Sequence, residues 1–156
     1  LVQDVRPLLT SVCETNQPLG LTKQVQLNAT IPDTPLIAKV DSSRLQQVLT
    51  NLIANAIKFS PEHSTVQLTA RRDGDLLEVT VRDQGPGIPE AFKAHLFEQF
   101  AQADAGDNRQ HAGTGLGLAI SKALIEQMRG EIGYRTPSGP GAEFFVRLPL
   151  SSPETD

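Results

Sequence analysis

Asn51 and Asn55 stand four residues apart in the segment Asn51-Leu52-Ile53-Ala54-Asn55-Ala56-Ile57-Lys58-Phe59. On a helix both carboxamides then lie on one stripe, together with Arg44, Gln47 and Lys58. Arg44 and Gln47 read as an ordinary solvated face. Asn55 asks for a further reason, because Asn is a poor mid-helix residue and a second one stands a turn earlier. A neutral carboxamide oxygen suits Mg²⁺, which prefers hard oxygen ligands and fills its other positions with water and phosphate. Two glycine-rich stretches follow. In Asp83-Gln84-Gly85-Pro86-Gly87-Ile88 the glycines let backbone approach a flat ring, and a carboxylate on a pocket floor can accept from an exocyclic amine. A plain turn would explain this stretch equally well if it stood alone. In Gly113-Thr114-Gly115-Leu116-Gly117-Leu118 the glycines lead into an apolar helix, whose N–H groups and positive end can meet a polyphosphate. They could also serve only as hinges. Neither the Walker A loop nor the dinucleotide fingerprint fits, since no Gly-Lys-Ser/Thr follows and no acidic residue sits at the required offset.

These residues need elements to hold them. Val2 to Leu19 reads as a helix. Gln24–Thr30 and Leu36–Val40 read as short strands, the second bounded by Pro32 and Pro35. Asp41-Ser42-Ser43 offers N-caps to a helix in which Leu45, Val48, Leu49, Leu52, Ile53 and Ala56 recur at helical spacing until Pro61 stops it. Thr65–Arg71 and Leu76–Arg82 alternate and are joined through Asp73-Gly74-Asp75, a hairpin signal. Pro89 could open a short helix over Ala91 to Phe97, and Leu116–Met128 reads as a longer one with Gly130 as its C′ residue. Glu131–Thr136 and Glu143–Leu148 form a last strand pair across Pro137-Ser138-Gly139-Pro140-Gly141. The expected fold is an α+β two-layer sandwich, one sheet on three main helices. Ala101 to Ala112 is polar, lacks either periodicity and lies between the glycine motifs, which marks it as a candidate mobile lid.

In order and spacing the three motifs resemble the N, G1 and G2 boxes of the ATP-binding domain of sensor histidine kinases. That family belongs to a superfamily shared with gyrase, heat-shock chaperone ATPases and mismatch-repair ATPases. The resemblance covers roughly residues 20 to 150. It implies a Bergerat-type fold with a mixed sheet and a mobile ATP lid, and ATP and Mg²⁺ as cofactors. It gives Asn55 to Mg²⁺, Asn51 and Lys58 to the phosphates, Phe59 to a flank of adenine and Asp83 to the adenine amine. It brings Gly85, Gly87, Ile88, Gly113, Thr114, Gly115, Leu116 and Gly117 to the nucleotide. Relatives that hydrolyse ATP carry a Glu base where Asn51 stands, and Asn51 cannot accept a proton at neutral pH. Phe92 and Phe97-Glu98-Gln99-Phe100 resemble the family's F box, and Arg109 is placed to sense the γ-phosphate. Gly139 to Phe144 resembles the closing glycine-rich turn, although Ala142 and Glu143 stand where small hydroxyl residues are usual.

Transfer to a histidine then needs an acceptor. His63, His95 and His111 each lack the phosphoacceptor context, so the implied partners are a helical phosphoacceptor hairpin of a parent kinase and a downstream response-regulator receiver domain. A related Ser kinase, an ATPase or a regulatory nucleotide-binding module is the alternative. With 156 residues and 38% apolar content, one domain over 1–150 is expected, with 1–20 an incoming helix and 151–156 a polar linker. The first residue, Leu1, is not Met, and the chain reads as a fragment. A net charge of −4 without a Lys/Arg cluster argues against nucleic acid. No apolar run is long enough to span a bilayer, so no direct membrane contact is expected of this stretch. Cys13 reads as a small filler, and the expected location is the cytoplasm.

Overall fold

The structure is a computed structural model that describes residues 2–85, 112–135 and 141–151, with side chains from Leu118 onward in the second segment. The described elements are β1 (Val2–Asp4), α1 (Arg6–Lys23), β2 (Gln26–Thr30), β3 (Ile37–Lys39), α2 (Ser42–Phe59), β4 (Thr65–Asp73), β5 (Leu76–Arg82), α3 (Ala112–Gln127), β6 (Glu131–Arg135) and β7 (Glu143–Pro149). Five strands form a mixed sheet in the order β2-β4-β5-β7-β6, with β2 parallel to β4 and the other pairs antiparallel. This is the expected α+β architecture.

Alternation places the core. Leu27, Val66, Leu68, Leu77, Val79, Val81, Val146 and Leu148 are buried on the strands, and they share one cluster with Leu9 and Val12 of α1, Leu45, Leu49 and Ile53 of α2, and Leu118 and Ile125 of α3. Asp41 caps α2, its Oδ1 accepting from the Arg44 N–H at 3.2 Å, and Ser60 before Pro61 ends the helix in extended backbone. The expected hairpin is present: Asp73 pairs with Leu76 around Gly74, whose φ of 61° is a left-handed value that glycine accepts without strain.

Three expectations are corrected. Val2–Asp4 is not helix but a strand antiparallel to β3, in a second sheet of two strands. Helix α1 starts only at Arg6, with Pro7 in its first turn, and runs past the exposed Pro18 to Lys23. Its end is a left-handed Gln24, whose N–H and that of Val25 return to the carbonyls of Leu21 and Gly20. At the end of α3 the left-handed residue is Arg129, with φ 63°, and not Gly130. Gly130 stands one place further on, where a Cβ would lie 2.4 Å from the Arg147 carbonyl oxygen, so close approach rather than dihedral freedom calls for glycine there.

The outer sheet face holds a feature that alternation did not announce. Glu78 on β5 is 1% exposed and takes hydrogen bonds from Arg71 at 3.1 Å, Arg147 at 2.9 Å and Arg135 at 2.5 Å. Burial pushes its pKa up, but the three guanidiniums outweigh that and hold it below the ordinary carboxylate range. Phe145 fills the neighbouring position, with Arg135 and Arg147 at 4.4 and 4.7 Å from its ring centroid.

Candidate nucleotide site

Helix α2 sets the first wall of the site. Its apolar face is buried in the core, which fixes the rotation of the helix and brings Asn51 and Asn55 to half-buried positions. Asn51 Nδ2 donates to Ser121 Oγ at 3.3 Å across the α2–α3 boundary, and Ser121 is itself only 2% exposed. Lys58 is exposed, with Nζ 5.8 Å from the Phe59 ring centroid, and partial desolvation lowers its pKa from the ordinary lysine value. Arg44 is engaged elsewhere, donating to Gln127 and lying 3.5 Å from Asp41, which agrees with a surface role.

The second wall is the end of β5. Asp83 is 5% exposed, and its Oδ1 accepts from the backbone N–H of Gly85 at 2.9 Å and of Ala142 at 3.1 Å. Among the described residues both donors meet Oδ1. Burial raises the Asp83 pKa and the two N–H groups partly oppose the rise. The Asp83 N–H also donates to the Ala142 carbonyl at 3.0 Å. The backbones run so close that a Cβ on Gly141, at φ 103°, would fall 1.9 Å from the Asp83 carbonyl oxygen. A Cβ on Gly85 would meet the Phe59 carbonyl at 2.3 Å, so this glycine lets β5 close onto the end of α2. Phe59 at the end of α2 thus abuts Gly85, two residues beyond Asp83, with Asn55 and Lys58 in the last turns of the same helix and Asn51 in its middle.

Helix α3 is described from Ala112, so Gly113, Thr114 and Gly115, expected ahead of a helix at Leu116, are themselves helical. Gly87, Ile88, Arg109, the F-box residues Phe92 and Phe97 to Phe100, the expected lid except for Ala112, His95 and His111 lie outside the described residues. His63 is an exposed turn residue with φ 67°. Cys13 is buried in α1, its thiol pushed up by burial and then by the charge of Glu14, as befits a packing residue.

Residues 40–152 match the family described as histidine kinase-, DNA gyrase B-, and HSP90-like ATPase. The chain belongs to this family. It is an ATP-binding domain, and its similarities lie on the kinase side of the group. It is 42% identical over 146 residues to the sensor histidine kinase RcsC of Escherichia coli (strain K12), covering 93% of this chain and 15% of that protein. To the sensor protein GacS of Pseudomonas syringae pv. syringae it is 41% identical over 158 residues, covering 98% of this chain and 17% of the relative. The chain therefore spans about 15% of the length of the curated relatives it matches. Among solved structures, full-length ShkA in complex with AMPPNP superposes with a TM-score of 0.80 at 34% identity, covering 97% of this chain and 31% of that one. The catalytic domain of the histidine kinase ThkA gives 0.83 at 27% identity, with 96% and 94% covered.

Sequence reasoning placed Gly141 and Ala142 in the closing glycine-rich turn but missed that the Ala142 backbone holds Asp83, because the side-chain type at 142 carries no signal of it. It also missed Ser121. Ser121 lies one helical turn beyond Gly117 on α3, and only the packing of α3 on α2 reveals its bond to Asn51.

Proposed function

We propose that this chain is the catalytic, ATP-binding part of a sensor histidine kinase, and that it passes the γ-phosphoryl group of Mg²⁺-ATP to a histidine on a separate helical hairpin. A response-regulator receiver domain would take the group onward, and the place of action is the cytoplasm. The observation that carries the reading is the buried Asp83, whose Oδ1 is held by two backbone N–H groups at the strand end that abuts the Asn51–Phe59 segment of α2. A carboxylate fixed in this way keeps its other oxygen for the adenine amine.

The donor set fits Mg²⁺. Among the described residues no group of three or more His, Cys, Asp or Glu could cage a metal, and Asn55 offers one hard neutral oxygen. An ion held by one such ligand completes its shell with water and phosphate oxygens. When bound, Mg²⁺ offsets charge on the terminal phosphates. Asn55 would hold it, Asn51 and Lys58 would line the phosphates, and Phe59 would flank the base. The N-terminal part of α3, from Gly113 through Thr114 to Gly115, would present N–H groups and the positive helix end to the phosphates, with Leu116 and Gly117 beside them. Gly85, Gly87 and Ile88 would shape the adenine pocket, and Arg109 would touch the γ-phosphate. Asn51 offers no proton acceptor, so water is not activated from that position and ATP is kept for transfer.

The test mixes this chain with [γ-³²P]ATP, Mg²⁺ and the phosphoacceptor hairpin of the parent protein. Acid-labile label on the hairpin and none on the chain alone supports the proposal. Acid-stable label, or phosphate release without transfer, would replace it with a serine kinase or an ATPase.

A further inference from the structure

The C-terminal end of α2 is where Lys58 and Phe59 leave the helix, and its terminal carbonyls must find donors. Ser60 Oγ donates to the Ala56 carbonyl at 2.7 Å, and the Ser60 N–H to that of Ile57 at 3.2 Å. A further donor comes from another helix. Lys23 Nζ, in the last turn of α1, donates to the Ile57 carbonyl at 3.1 Å and also to the Lys58 carbonyl. An ammonium at this point also opposes the negative end of the α2 dipole.

The end of α1 is anchored to the same region by backbone. The Val25 N–H returns to Gly20 at 2.8 Å, the His63 N–H donates to the Gln24 carbonyl at 2.7 Å, and the Gln26 N–H to Ser64 at 3.0 Å. Gly20 allows this closure, since a Cβ there would fall 2.6 Å from the Val25 carbonyl oxygen. Lys23 thus reaches α2 from a fixed platform. On the far side of the same turn the Phe59 carbonyl abuts Gly85, two residues beyond Asp83.

We infer that Lys23 is a positioning residue of the nucleotide site: by binding the Ile57 and Lys58 carbonyls it fixes the turn from which Lys58 reaches a phosphate. The inference rests on the phosphate role proposed for Lys58. Lys23 touches no nucleotide and acts only through that turn. Replacing its ammonium with an apolar end leaves the Lys58 carbonyl to water and lets the last turn fray. Arginine retains a charge and several donors at the same place.

A double-mutant cycle on this chain tests the inference, with Mg²⁺-ATP affinity measured by calorimetry and folding checked by thermal melts. Lys23→Met should weaken binding about fivefold, and Lys58→Ala about tenfold, as expected for loss of a charge-assisted contact. The double variant should bind within about threefold of Lys58→Ala alone, because the two positions act as one unit. Lys23→Arg should stay within about twofold of wild type and control for mere loss of stability. Additive losses, or a silent Lys23→Met beside a weakened Lys58→Ala, would overturn the inference and leave the site intact. If Lys58→Ala itself binds like wild type, the phosphate role of Lys58 falls, and this inference with it.

Discussion

Asp83 and Ala142 lie 59 residues apart in the chain and exchange two hydrogen bonds, one from the Asp83 N–H to the Ala142 carbonyl and one from the Ala142 N–H to Asp83 Oδ1. The second bond ties the acid to the start of β7, so the carboxylate direction is set by the sheet and not by a free rotamer. A candidate site residue is thereby built into the fold.

Gly141→Ala should disturb both. The added Cβ would fall 1.9 Å from the Asp83 carbonyl oxygen at a φ of 103°, and backbone must move to admit it. A left-handed non-glycine residue alone costs about 1–3 kcal/mol, so the melting temperature should drop by several degrees. ATP affinity should fall with it, because Asp83 loses its register. A variant that melts and binds like wild type would contradict the tight pairing.

Asp83→Asn should separate stability from binding. Burial raises the Asp83 pKa in the fold, so the folded state holds this proton more tightly than the unfolded chain does. Its contribution to stability is therefore greatest below the ordinary carboxylate range and declines as pH rises through the raised value. Asparagine keeps an oxygen for the two N–H donors and removes the buried charge. At pH 7 the variant should melt at or above the wild-type temperature. Adenine nucleotides should bind about ten- to a hundredfold more weakly, the value of a hydrogen bond to a charged group. Chemical denaturation from pH 4 to 8, beside an ATP titration, checks both halves.

Glu78→Gln should act in the opposite sense and away from the nucleotide. The Glu78 pKa is held below its ordinary value, so its stabilisation is present above that ordinary value and is lost as pH falls toward the folded one. The substitution should cost about 1–3 kcal/mol at neutral pH and flatten the acid limb of the stability curve. Nucleotide affinity should stay unchanged, since Glu78 faces the opposite side of β5 from the core-facing Leu77 and Val79. Urea melts at pH 7 and pH 4 will show the difference.

What the residues declare by themselves, and what they do not, follows the range of the forces. The buried side of α2 is legible in Leu45, Val48, Leu49, Leu52, Ile53 and Ala56, because helical periodicity is written in the local sequence. The β4–β5 hairpin is equally local, signalled by Gly74. Val2–Asp4 reads wrongly as helix because its strand character comes from pairing with Ile37–Lys39, a contact no local window contains. Pro7 is the overlooked signal, since proline belongs in a helix's first turn and marks the true start of α1. Gly130 is displaced by one place because Arg129 accepts the left-handed angle where glycine is expected. At the site, Asn51, Asn55, Lys58 and Asp83 stand out by residue type. Ala142 and Ser121 do not, because one bonds through its backbone and the other through a single hydroxyl, and the role proposed for Lys23 is hidden because it looks like any surface lysine.

The central claim is that α2 and the end of β5 form one Mg²⁺-ATP site with Asn55 as the protein's metal ligand. Calorimetric titration of ATP, with Mg²⁺ and with excess chelator, into the wild type and Asn55→Ala tests it most directly. The account predicts that wild type binds ATP much more tightly with Mg²⁺, while folded Asn55→Ala binds weakly and almost equally in both conditions. An Asn55→Ala variant that keeps the full Mg²⁺ dependence of the wild type would contradict it.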